Sequence, residues 1–177
     1  MIVQTNQSMR DLLGEEAAHP ERIDVPVPAS LMQTLRDGFK EIDGCIVPGN
    51  FQKSSIWSTE RPRIDNRDDE TGLECSLSKT HVDAFATECS ELLTMTRIAI
   101  AYGFLVKEAL EQSAIGGSIR IIISAQLPSP ELERVGHVCT VRFHRIRPHQ
   151  VWLSDDIEGF RSEALMVLDF PHANQKV

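Results

Sequence analysis

"HVDAFATECSELLTMTRIAIAYGFLVKEALEQS", residues 81–113, contains no proline and one glycine, Gly103. Its unbroken apolar run, Ile98 to Val106, is bracketed by Arg97 and Lys107. A membrane span needs about 20 apolar residues in a row, so this run reads as the inside of a domain. Phe85, Cys89, Leu92, Thr96, Ala99, Gly103, Val106 and Leu110 follow one another in steps of four and three. That is the stripe of a helix with one buried face. Met95, Ile98, Tyr102, Leu105 and Ala109 form a second stripe beside it. Thr80 with Asp83 reads as a capping box, and Gly116-Gly117 as a stop. The pattern therefore predicts a helix over 81–113, roughly 50 Å long. A domain of this size is only about 40 Å across. Either the helix breaks near Thr94–Thr96, or its overhang packs on a second subunit. The small residues Thr96, Ala99 and Gly103 would let another backbone approach. They lie against the chain's own sheet in the first case and form a self-association surface in the second.

Beyond this spine the period changes to two. Segments 118–127, 137–147, 150–154 and 163–170 read as strands, separated by turn-forming stretches. Short connections favour antiparallel neighbours, hence a meander. The expected class is α+β: an antiparallel sheet of four to five strands packed on a long central helix, with one or two shorter N-terminal helices. Residues 1–27 read as an arm carrying a short helix over Ser8–Ala18. Residues 28–171 read as one domain. Within it, 29–43 reads as a helix burying Leu31, Leu35, Phe39 and Ile42, and 45–57 as two short strands around Pro48-Gly49. Residues 58–79 read as a polar loop, and 172–177 as a tail.

The chain has 177 residues, 41% of them hydrophobic and 25% charged, with a formal net charge of −8. Nucleic acid and anionic membranes attract cationic surfaces, so neither is an expected partner. No basic start followed by an apolar run marks a secretory signal. Cys45, Cys75, Cys89 and Cys139 are far apart and form no C-x-x-C pair. Reduced thiols in a cytoplasm are the expectation.

The sharpest local feature is "RFHRIRPH", residues 142–149. On a strand, Arg142 and His144 point one way and Arg145 and Arg147 the other. With His149, and with Arg134 and Arg161 nearby, they would suit a carboxylate, a phosphate or an acidic partner, because guanidinium grips such groups with two parallel bonds. Otherwise they form a solvated face balanced by Asp155, Asp156 and Glu158. His137 and Cys139 would share a strand face, but no further metal ligands are identifiable, and neither a metal nor any other cofactor is expected. Cys89 reads as a core residue and Cys75 as the more exposed thiol. Trp152 is a candidate contact aromatic, as is Trp57. No motif assigns a catalytic residue. The expectation is a non-enzymatic protein-binding module of the inhibitor, immunity, chaperone or assembly type, binding another protein and self-associating as a dimer. The alternative is a small enzyme or ligand-binding domain with a pocket for a nucleotide or acyl-CoA between helix and sheet.

Overall fold

The computed structural model describes residues 1–51, 69–89, 91–128 and 138–171. The expectations resting on 52–68, the second short strand of 45–57 and Trp57 among them, and on Arg134, His137 and the tail from His172 lie outside the described residues.

The fold is α+β, as the two periodicities predict. Five strands form one antiparallel sheet: β1 (Ile2–Thr5), β4 (Thr80–His81), β5 (Ile119–Gln126), β6 (Cys139–Arg145) and β7 (Glu163–Phe170), in the order β1-β7-β5-β6-β4. β2 (Phe39–Ile42) and β3 (Cys45–Pro48) form a separate hairpin. The helices are α1 (Gln7–Leu13), α2 (Ala29–Met32), α3 (Glu70–Leu77) and α4 (Leu92–Gln112).

α4 is the spine, 21 residues long. It starts at Leu92. Ahead of it, Thr80–His81 form a strand and Val82–Ala84 a 3-10 turn, and the break falls before Thr94–Thr96. The reason is tertiary. Thr80 and His81 pair with Val141 and Thr140, and the Asp83 carboxylate accepts from the Cys139 N–H at 3.0 Å. These bonds hold the segment along the sheet, which outweighs its helical spacing. From Leu92 onward the stripe behaves as read. Met95, Ile98, Ala99, Tyr102, Val106 and Leu110 pack with Ile121, Ile123, Val141, Phe143, Met166 and Leu168 in one core. Burying a side chain of that size is worth about 1.5–3 kcal/mol. Among the described residues, no helix is long and apolar enough to cross a membrane.

β5, β6 and β7 match the predicted strands, but β7 returns to pair with β5 rather than β6, so the three do not form a simple meander. The segment 146–162 makes that return. Residues 150–154, expected as a strand, are irregular apart from a bridge between Arg147 and Gln150. The reading of 29–43 as one helix also fails. A short α2 and a 3-10 turn are followed by β2. Asp43 (φ 50°) and Gly44 (φ 82°) make the two-residue turn into β3, the conformation in which Asp-Gly joins two strands. Residues 1–5, expected within an arm, contribute β1, and Asn6 caps α1 through its side chain.

Candidate functional site

The register of β6 separates the predicted cations. Thr140, Arg142 and His144 lie on the face away from α4, while Val141, Phe143 and Arg145 share the core side. Pairing alternates in the backbone as well. Even-numbered residues of β6 turn their N–H and C=O groups to β5, and odd-numbered ones turn theirs outward.

That outer edge is closed mainly by side chains. Cys139 N–H goes to Asp83, and Val141 pairs with Thr80. The Ser78 hydroxyl accepts from Phe143 N–H and donates to Phe143 C=O, both at 2.9 Å. Arg145 N–H donates to Glu74 Oε2 at 2.8 Å. Glu74 is fully buried. Its other oxygen accepts from Ile46 N–H of β3 at 2.8 Å. Arg147 completes the arrangement, with Nη1 and Nη2 donating to the two Glu74 oxygens at 2.7 and 2.8 Å. Arg147 Nη2 also donates to Gly44 C=O at 2.8 Å, and Nε lies 2.9 Å from Glu70. One carboxylate thus ties α3, β3, β6 and the loop beyond β6.

Helix α3 lies in the stretch expected as polar loop. Asp69 caps it, accepting from Gly72 N–H at 2.7 Å. Its inward face carries Thr71, Leu73, Glu74 and Cys75. Sequence reading missed it because its fully buried residues include a charged one, Glu74, and a polar one, Thr71. Cys75, expected as the exposed thiol, is buried, while Cys89 is half-exposed. Burial pushes the thiols of Cys45, Cys75 and Cys139 up to about 12. These sulfurs stay protonated and are poor nucleophiles.

The loop after β6 rises from this clamp. Gln150 accepts from Thr71 N–H and Oγ1 at 2.9 and 2.8 Å. The Arg142 guanidinium sits 6.0 Å from the centre of the Trp152 ring, within the range of cation–π attraction. Ile157 is buried further along. Between these fixed points, Val151 is 76% and Trp152 41% exposed, and Ile146 is also exposed. Arg145 pairs with Glu41 at 2.6 Å, a bond that holds the Glu41 carboxyl below its ordinary range. His149 is exposed.

The remaining sequence candidates separate from this group. His144 is buried, with Nδ1 2.8 Å from the Arg145 C=O, so that nitrogen carries the hydrogen. Its Nε2 is buried with no hydrogen-bond partner. Burial pushes the His144 pKa below its ordinary value, and the Arg120 and Arg147 charges act in the same direction, against Glu74 and the Arg145 carbonyl bond. Arg120, its neighbour on β5, makes a two-bond pair with Asp169 of β7 at 2.7 and 2.8 Å. Thr96 and Ala99 are fully buried, and a Cβ on Gly103 would meet Ile121 and Ile123 at 3.4–3.5 Å. That stripe packs on the chain's own sheet. The cavity lined by Tyr102 and Val106 of α4 and by Val141 and Phe143 of β6 holds about 70 Å³, while a cleft at the C-terminal end of α4, lined by Leu110, Ile115, Ile119 and Phe170, holds about 440 Å³, within the roughly 300–1,000 Å³ of ordinary ligand pockets. Among the described residues, no cluster of three His, Cys, Asp or Glu side chains could hold a metal ion.

The family model described as Uncharacterized protein PM0498 family matches residues 4–176, and the chain belongs to that family. No curated protein and no solved structure matches the chain.

Proposed function

We propose that this chain is a non-enzymatic, intracellular protein-binding module, and that it contacts its partner through the segment between β6 and β7 with Val151 and Trp152 as anchors. The observation that carries this reading is the pairing of exposure with restraint. Two large apolar side chains stand in solvent on a loop whose base is held by Arg147, Glu74, Thr71 and Gln150. Trp152 is further restrained by Arg142. A surface held in its binding shape loses less conformational entropy on association. Tryptophan is also among the residues whose truncation costs most at interfaces. The predicted cations support the loop rather than offering themselves to a ligand, since Arg145 and Arg147 already face Glu41, Glu70 and Glu74. Cys45, Cys75 and Cys139 are buried free thiols, which suits a reducing compartment.

The test compares the full chain with a Val151→Asp/Trp152→Ala variant as immobilised baits in extracts of the source cells. The variant should melt at nearly the same temperature, because both side chains are exposed. A protein held by the native chain should be lost from the variant. The purified pair should then bind at least tenfold more weakly through the variant. Equal retention by both baits would defeat the reading. So would strong thermal stabilisation of the native chain by a nucleotide or acyl-CoA, since that is the signature of a small ligand specific for the folded state.

A further inference from the structure

The two edges of the main sheet are unlike. The β6 edge is closed by Asp83, Thr80, Ser78 and Glu74 of the same chain. β1 forms the opposite edge. Asn6 N–H donates to Leu165 C=O at 3.1 Å. By alternation the backbones of Gln4 and Ile2 also face β7, and those of Val3 and Thr5 face outward. A second bond agrees with this assignment, because Thr5 C=O accepts from the Arg10 guanidinium. The N–H and C=O of Val3 have no such partner among the described residues. Natural edge strands are commonly protected by lysine, proline or a bulge. Residues 1–5, "MIVQT", contain no charged side chain and no proline. Met1 and Ile2 are instead 49% and 56% exposed.

We propose that β1 pairs antiparallel with β1 of a second copy of this chain, about a two-fold axis at Val3, joining two five-stranded sheets into one. At that centre the Val3 N–H of each copy donates to the Val3 C=O of the other, so one contact satisfies both open groups. Centring the pair on Thr5 would displace the Arg10 bond, which selects the Val3 register. Ile2 of each copy then lies opposite Gln4 of the other, and no like charges meet across the pair. The same patch serves both copies, as a closed dimer requires. This surface is separate from the Val151–Trp152 loop, and either assignment can fail without the other.

Two variants of the full chain test the dimer by analytical ultracentrifugation. Val3→Pro removes an outward N–H that β7 does not use, so the β1–β7 ladder keeps its bonds. Ile2→Lys/Gln4→Lys leaves every backbone group in place and sets lysines of the two copies opposite each other. The native chain should sediment as a dimer. Each variant should dissociate at least about tenfold more readily, the expected result of losing two hydrogen bonds or adding two repulsions, with its circular dichroism unchanged. If Val3→Pro fails to fold, the lysine pair decides. A native chain that is monomeric throughout, or a dimer that the folded variants leave equally tight, overturns the proposal.

Discussion

Arg120 and Asp169 sit side by side on neighbouring strands, whereas Glu74 and Arg147 reach each other from a helix and a loop that no backbone ladder joins. Both are close guanidinium–carboxylate pairs largely removed from water. The first adds to β5 and β7, which are already bonded along eight residue pairs. The second also serves two backbone N–H groups, Ile46 and Arg145, that have no strand to pair with. A buried ion pair is by itself weak evidence of stability, because desolvation offsets its attraction. What distinguishes Glu74 is that the chain has arranged backbone groups around it. Its loss therefore strands more than one partner.

The comparison is open to direct attack. Glu74→Gln should have the largest effect, about 3–5 kcal/mol in urea unfolding, because it leaves Arg147 buried without its counter-charge. Replacing both members of each pair is the sharper experiment. Arg120→Met/Asp169→Leu should recover most of what either single change loses. Glu74→Met/Arg147→Met should remain about 2 kcal/mol or more below the native chain, because the Ile46 and Arg145 N–H groups stay orphaned. Equal recovery at the two sites would erase the distinction.

His144 gives a smaller, pH-dependent effect on the same ground, since it lies beside Arg120 and bonds to the Arg145 carbonyl. Its folded pKa is depressed by burial, so the unfolded chain binds its proton more readily. The contribution is then complete above the unfolded value of about 6.5 and is lost as the pH falls from there towards the folded value. His144→Gln should remove that part of the slope between neutral and mildly acid pH in a series of urea titrations. A variant with the native slope would show that the imidazole is not the group responsible. The smallest effect should come from Glu41→Gln. This carboxylate faces Arg145 but is half-exposed, and exposed pairs are worth roughly 0–1 kcal/mol. A larger loss would mean that burial is not what separates strong pairs from weak ones here.

Much of the fold is legible in residue spacing. The apolar stripes find α4, and alternation finds β5, β6 and β7, because each of these elements buries carbon on one side. Legibility fails where polar groups decide the structure. α3 is written as a hydrophilic stretch, since one of its fully buried residues is a glutamate whose donors come from Ile46, Arg145 and Arg147. Residues 81–83 fall within the helix that the sequence predicts, yet His81 and Asp83 follow the hydrogen bonds of a strand 56 or more residues away. Asp43-Gly44 did carry a hairpin signal, but the preceding apolar spacing also fits a helix. At the candidate site, the arginines and Trp152 are visible in the sequence. Which of them are neutralised, and which face water, depends on carboxylates brought in from distant positions.

The edge of β6 has a kinetic consequence. An interior strand releases its amides only when the sheet itself comes apart. The amides of Phe143 and Arg145 are guarded by Ser78 and Glu74 instead, so detachment of α3 alone would expose them. In heavy water these two positions should exchange together, ahead of the β5–β7 ladder, and their common rate would report how often that helix lifts away.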